Sequence, residues 1–302
     1  MFSTILVPLD GSDLARRALP YAAALAKAAH ARLILLHAYD PGRAGSTPDP
    51  ELDTIMELSD LAGDLRQQGI NSSTWLVYEE AGPAIVQAVA DLSASLIVMS
   101  THGRGGLSRL LHGSVAEYLL RQVSVPVVLV TSHCRPRWLS GEPLNIVVPL
   151  DGSEFAATAL TPAHELAGIL KADMVLLRAL SPEDLDDQPI SMHWNSAGER
   201  LLAEARSSLE AAAGPLRAAG RQVETLAEVA EPGAAIARVA NERSPSLVVM
   251  ATHGRGALSR LVLESVSMEA LQQLRAPILL VRPAPPADEA DELSELADRV
   301  RA

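Results

Sequence analysis

The chain has 302 residues, of which 48% are apolar and 21% charged, and its formal net charge is −12 at pH 7. This length suffices for two globular domains of roughly 100 to 200 residues each. The acidic balance and the 3% aromatic content exclude a general nucleic-acid surface, which needs a basic face and stacking rings. The partners to expect are small anions that are held locally, or proteins.

The single cysteine, Cys134, cannot form a disulfide within the chain, and it lies in a polar stretch that resembles a linker. No run of residues approaches the roughly 18 apolar positions of a membrane span, and residues 1–8 lack the features of a signal peptide. We therefore expect a cytoplasmic protein without a membrane partner, with Cys134 as an incidental linker thiol.

Short apolar runs alternate with helical patterns along the first half of the chain. Strands are predicted at 4–9, 32–38, 73–78, 96–99 and 125–130, and helices at 14–29, 51–68, 83–92 and 114–122. Ser12 is expected to cap the first helix, and Pro20 to kink it. Because parallel strands need long crossovers, this alternation predicts a doubly wound α/β domain whose parallel sheet is covered by helices on both faces.

The second half repeats this order. Strands are predicted at 145–150, 174–180, 222–229, 247–250 and 277–281, and helices at 154–171, 196–213 with a further turn to 220, 234–243 and 265–274. Pro162 lies where Pro20 lies in the first copy. The predicted organisation is a first domain over 1–131, a linker over 132–143, a second domain over 144–282 and an acidic tail over 283–302.

Two short motifs recur and establish a tandem duplication. Residues 7–12, Val-Pro-Leu-Asp-Gly-Ser, return as 148–153, and residues 101–105, Thr-His-Gly-Arg-Gly, return as 252–256. The first pair is 141 residues apart and the second 151 residues apart, so about ten residues were gained between them. We expect this gain within 181–220.

A glycine-rich loop with two arginines follows the fourth predicted strand of each copy. Glycines let backbone N–H groups approach a phosphate, Ser114 can cap the next helix, and a helix N-terminus favours an anion. An ordinary flexible connection with solvated arginines is the alternative, and Arg104 and Arg109 fit either interpretation. The recurrence of the loop in the second copy favours anion binding.

At this point both halves resemble the universal stress protein family in its tandem bacterial form. The resemblance is carried by residues 8–10 (Pro-Leu-Asp), by residues 35–38 (Leu-Leu-His-Ala), and by a signature of glycine, two residues, glycine, nine residues, glycine, and serine or threonine. The signature falls on 100–114, with Ser100 in place of its first glycine. Neither a Walker P-loop nor a dinucleotide fingerprint is present. The resemblance implies two five-stranded parallel sheets of the adenine nucleotide alpha hydrolase type, packed as a pseudo-twofold dimer through their fifth strands.

In ATP-binding members of this family, the first-strand aspartate and the residue that ends strand two hold the adenosine, while the glycine loop holds the phosphates. The resemblance therefore implies ATP, accompanied by Mg²⁺. It assigns binding to Pro8, Leu9, Asp10, Ala38, Met99, Thr101, His102, Gly103, Arg104, Gly113, Ser114 and Val115. A weaker set in the second copy comprises Asp151, Ala179, Met250, Gly254 and Ser265. Asp10 has an alternative role as a turn former before Gly11.

The function that the sequence favours is an ATP-binding regulatory module of the stress response, with nucleotide bound mainly by the first domain. Glu264 stands in the second copy where Gly113 stands in the first, and its carboxylate would repel phosphate. No catalytic set is recognisable, and His102 is expected to hold the loop rather than act as a base. Two alternatives remain open: a slow ATPase or phosphotransferase, and a protein-interaction scaffold without nucleotide. A regulatory protein of unknown identity and a second copy of the chain are further expected partners.

Overall fold

The computed structural model describes residues 2–39, 50–101, 114–135, 143–182, 194–252 and 273–282. Within them, the strands are β1 (Thr4–Pro8), β2 (Arg32–Ala38), β3 (Ser72–Val77), β4 (Leu96–Ser100), β5 (Val127–Val130), β6 (Asn145–Pro149), β7 (Asp173–Leu180), β8 (Val223–Val229), β9 (Ser246–Ala251) and β10 (Ile278–Val281). The helices are α1 (Asp13–Arg16), α2 (Leu19–Ala29), α3 (Pro50–Gln67), α4 (Ala81–Asp91), α5 (Ser114–Gln122), α6 (Glu154–Ala157), α7 (Leu160–Leu170), α8 (Trp194–Ala218) and α9 (Pro232–Glu242). The repeated order confirms the predicted tandem α/β architecture.

All ten strands form one sheet in the order β3-β2-β1-β4-β5-β10-β9-β6-β7-β8. Within each half, neighbouring strands are parallel. The halves join where β5 and β10 pair antiparallel, with Leu279 opposite Val128. The predicted contact between the fifth strands is thus present, and it protects two apolar edges that would otherwise be unpaired. A twofold relation between the whole domains stays a prediction.

The sheet is buried on both faces, as expected for parallel strands with helical crossovers. Alternate residues of β1 illustrate this: Ile5 and Val7 belong to the core on the side of α2 and α3, whereas Leu6 belongs to the core on the side of α4 and α5. Each of these two cores continues across the β5–β10 pair into the second half, where Val148 and Val147 take the corresponding places. The halves therefore share their hydrophobic layers.

The first predicted helix of each half is two helices, so the expectation of one kinked helix is wrong. In the first half, α1 ends at Arg16 and α2 begins at Leu19, with Pro20 in its first turn. A proline has no N–H to continue an α-helical ladder, but it fits the first turn of a new helix, where the N–H groups have no partner within the helix. The second half repeats the break between α6 and α7.

Helix α8 runs uninterrupted for 25 residues and includes Pro215, where the sequence had suggested a helix to 213 and a separate further turn. Its buried side chains Leu209, Ala213 and Leu216 lie at helical spacing on both sides of the proline, so packing against the sheet carries the helix through it. Among the described residues, no helix combines the length and the apolar composition that spanning a membrane requires.

Cys134 belongs to the core, although the sequence places it in a polar linker. Its side chain is 4% exposed, and its Sγ accepts a hydrogen bond of 3.2 Å from the backbone N–H of Thr131. The segment is also tied to the first domain, because Arg17 donates a hydrogen bond of 2.6 Å to the carbonyl of Ser132. Burial raises the pKa of the Cys134 thiol above its usual value.

We expect Cys134 to react slowly with Ellman's reagent in the native protein at neutral pH. Both causes act in the same direction, since burial blocks access and the raised pKa lowers the thiolate fraction. Absorbance of the released chromophore measures this reaction. After the protein is unfolded in urea, the Cys134 thiol should react as fast as the thiol of free cysteine. An equally fast reaction in the folded protein would show that Cys134 is exposed in solution.

Candidate functional site

The strand order places a crevice at the carboxyl edge of each half-sheet. In the first half, the chain runs from β1 to β2 and β3 on one side, returns from β3 to β4 beside β1, and continues to β5 on the other side. Such a reversal of direction opens a gap between two crossovers, and ligands of open α/β sheets bind there. The crevice therefore lies beyond the ends of β1 and β4, at Asp10 and Thr101.

The loop after β1 is a tight turn that Asp10 closes. Asp10 Oδ1 accepts hydrogen bonds from the N–H of Ser12 at 3.0 Å and from its hydroxyl at 2.6 Å. Ser12 in turn caps α1, because its Oγ accepts from the N–H of Ala15. Gly11 has a φ of +77°, which L side chains rarely adopt. The alternative role of Asp10 as a turn former is thus what the structure displays, and a ligand role stays a prediction.

Three candidate residues from three different elements lie on one face of the sheet. Ala38 at the end of β2, Met99 in β4 and Val115 in the first turn of α5 all pack into the core on the side of α4 and α5. Leu9 lies on the opposite face, among the residues packed against α2. Pro8 is half-buried at the end of β1, next to Leu36.

Thr101 contributes a buried hydroxyl at the carboxyl end of β4. The residue follows β4 directly and is 2% exposed, and its backbone N–H donates to the carbonyl of Val130 at 3.0 Å. Its Oγ1 is buried, and it is without a hydrogen-bond partner in the described part of the chain. A buried hydroxyl without a partner costs free energy, so a ligand oxygen at this position would stabilise it.

Six of the predicted site residues belong to the two glycine-rich loops and to the residues that follow them. Four of the first domain, His102, Gly103, Arg104 and Gly113, lie outside the described residues, and so do Gly254 and Ser265 of the second. Ser114 begins the backbone of α5, as the sequence predicted.

The second copy builds the same turn. Asp151 Oδ1 accepts from the N–H of Ser153 at 2.8 Å and from its hydroxyl at 2.6 Å, and Ser153 caps α6. Ala179 and Met250 pack into the core on the side of α9, matching Ala38 and Met99.

The two crevices differ in one side chain that sequence analysis missed. At Gly11, no described atom lies within 4 Å of the position that a Cβ would take. At Gly152, that position is 2.8 Å from Nη1 of Arg178, so a guanidinium covers the second turn. His37 is the first-domain counterpart of Arg178, and its Nδ1 lies 2.8 Å from the carbonyl oxygen of Leu9, directly after β1. The signal was available, because residues 35–38 read Leu-Leu-His-Ala and residues 176–179 read Leu-Leu-Arg-Ala.

A comparison of the chain with models of known protein families identifies the family of both domains. The model of the universal stress protein family matches residues 1–131 and again residues 144–282. The chain belongs to the universal stress protein family. Two copies in one chain make it a tandem universal stress protein, as the sequence resemblance implied.

Individual relatives agree with this assignment. A universal stress protein of Mycolicibacterium smegmatis is 27% identical, over 92% of this chain and 97% of the relative. One from Thermus aquaticus is 34% identical over 43% of this chain and 99% of its own length, so it corresponds to a single half. A crystal structure of a universal stress protein from Archaeoglobus fulgidus has a TM-score of 0.66 at 18% identity, covering 94% of this chain and 98% of that one. This last similarity concerns the fold.

Proposed function

We propose that the protein is an ATP-binding regulatory module in which the first domain holds the nucleotide. Binding at a crevice between crossovers couples the ligand to the position of the surrounding helices, so the output would be a conformational signal to a protein partner. The proposal includes a role in the stress response, and membership of the universal stress protein family supports it.

The observation that carries the proposal is the convergence at the carboxyl edge of the first half-sheet. Ala38, Met99 and Val115 come from a strand, a second strand and a helix, yet they line the same face beside the strand-order reversal. Among the described residues, no atom fills the space over Gly11 at this edge. The flat aromatic face of adenine fits against small and apolar side chains of this kind.

The described residues also fit the phosphate side of ATP. The hydroxyl of Thr101, which has no partner among the described residues, supplies a buried hydrogen-bonding group at the end of β4, and the N-terminus of α5 favours negative charge. Bound ATP would bring phosphates that the glycine loop between these two elements would hold, with Mg²⁺ as their counter-ion. In this proposal Asp10 and Ala38 hold the adenosine, and Thr101, Ser114 and the loop residues hold the phosphates.

Mass spectrometry of the small molecules released from the purified chain tests the function. Bound ATP would support the regulatory module. Bound ADP, together with phosphate release on addition of ATP, would instead support a slow ATPase. A protein that is purified without nucleotide and does not bind ATP·Mg²⁺ in a calorimetric titration would contradict the proposal. The result would instead support a protein-interaction scaffold.

Asp10→Ala should weaken ATP binding by about two- to twelvefold, which corresponds to the loss of one hydrogen bond worth about 0.5–1.5 kcal/mol. Asp151→Ala is the matched control, because it removes the same pair of hydrogen bonds from the turn of the second domain. Calorimetric titration of both variants measures the effect. Equal affinity of Asp10→Ala and the unmodified chain would leave Asp10 with its turn-forming role alone.

A further inference from the structure

The sheet has two edges, β3 and β8, and they are built differently. At β8, Glu224 pairs with Arg243, Glu228 with Arg238, and Glu210 beside the strand with Arg217. Charged residues of this kind discourage a further strand from pairing. Strand β3 reads Ser-Ser-Thr-Trp-Leu-Val and contains no charged residue.

The outer side of β3 offers backbone groups that pair with no strand of the described part of the chain. Asn71 and Val77 accept hydrogen bonds from Leu33 and Tyr39 through their carbonyls, which fixes the alternation along the strand. The N–H and C=O groups of Thr74 and Leu76 consequently point away from β2. An edge of this kind is a template for another strand.

Apolar surface is concentrated around the same edge. The structure exposes seven large apolar side chains in its described part, and five of them lie on α3, on β3 or directly after it. These five are Leu52, Ile55, Met56, Trp75 and Tyr78. We name β3 and these five side chains the β3 surface. A stable interface buries about 1,200–2,000 Å² in total, more than strand pairing alone supplies, and these side chains add apolar area.

The charges at the ends of the β3 surface indicate which partner fits. At its amino end, Arg32 donates to the hydroxyl of Ser73 and Arg66 to the carbonyl of Ser72. At its carboxyl end stand the exposed residues Glu79 and Glu80. None of these four charges forms an ion pair with any other described residue.

We propose that a second copy of this chain docks on the β3 surface, with the two β3 strands antiparallel about a twofold axis. Antiparallel pairing brings the arginines of each copy opposite the glutamates of the other, at both ends of the contact. A parallel arrangement would place like charges together. The interface is isologous, so it closes at a dimer with one continuous sheet of twenty strands, twice the ten of one chain.

Sedimentation velocity of the full chain over a range of concentrations tests the proposal. We expect a reversible monomer–dimer equilibrium that weakens with rising salt, because its charge pairs are exposed. Thr74→Pro removes an outward N–H and should raise the dissociation constant about tenfold or more, since proline breaks strand pairing. Thr225→Pro, at the same position of the other edge, is the control and should leave the dimer intact.

Three further variants test the interface without introducing a proline. Trp75→Lys should also weaken the dimer, and circular dichroism should show that it folds. Glu79→Lys combined with Glu80→Lys should weaken it, and adding Arg32→Glu and Arg66→Glu should restore it. A monomer at every concentration would overturn the proposal and would favour a strand from another protein as the occupant. A dimer that Thr225→Pro abolishes, or that resists all β3 variants, would also overturn it.

Discussion

Leu279→Ala should lower the free energy of unfolding by about 2–5 kcal/mol, the cost of removing a fully buried leucine side chain. Leu279 is 0% exposed and lies in β10, opposite Val128 of β5. Its side chain packs into the core on the side of α2 and α7, which residues of both halves share. The cavity would therefore open where the two domains meet, and neighbours on both sides would lose contacts.

Urea unfolding followed by circular dichroism measures this loss. Val229→Ala is the control, because it removes apolar atoms from a side chain that is 45% exposed and lies outside the β3 surface, and it should change stability by about 0.5 kcal/mol or less. If the shared core makes the two halves one cooperative unit, unfolding should show a single transition, and Leu279→Ala should lower the urea concentration at its midpoint. Two transitions, of which only one moves, would show that the halves unfold independently.

The fold could be predicted from the sequence because periodicity and duplication give independent signals. β2 and α5 have the predicted bounds, and the alternation of short apolar runs with helices identified the parallel sheets. The break before Pro20 was missed because the apolar spacing of the first segment continues through Arg17 and Ala18, although the backbone does not. The spacing of apolar side chains predicts which face of a helix is buried. It does not predict where one helix ends and the backbone hydrogen bonds of the next begin.

The sequence predicted the positions of the candidate site residues along the backbone better than the contacts of their side chains. The sequence identified Asp10 and Thr101 at strand ends, and both lie there. It could not show that Thr101 Oγ1 lacks a partner among the described residues or that Arg178 reaches back over Gly152, because both depend on distances between separate parts of the chain. The contrast between the two crevices is therefore information that only the three-dimensional structure supplies.

Titration of the chain with ATP·Mg²⁺ should give about one site per chain, in the first domain. This expectation rests on the proposed function and on two differences between the copies. Glu264 replaces Gly113 in the signature, and both positions lie outside the described residues. Within the described residues, the guanidinium of Arg178 covers the turn at Gly152, whereas the space over Gly11 is open.

The first difference acts on the phosphates and the second on the crevice. A carboxylate repels a ligand with several negative charges, and a ligand that enters over Gly152 must first displace Arg178. A combined penalty of about 2.8 kcal/mol lowers affinity roughly a hundredfold, which leaves the second site empty at ordinary concentrations. A Mg²⁺ ion held by Glu264 would reverse the charge argument, and the second domain would then bind ATP only when Mg²⁺ is present.

Single substitutions distinguish these effects in calorimetric titrations. Gly113→Glu should abolish binding by the first domain, with a circular dichroism spectrum like that of the unmodified chain. Glu264→Gly should restore a second site if phosphate repulsion dominates, and the added change Arg178→His should be needed if the covered crevice dominates. Two equal sites in the unmodified chain, or full binding by Gly113→Glu, would contradict the asymmetry. One site that disappears in Gly113→Glu would establish that the duplicated domains have diverged, with one retained for the nucleotide.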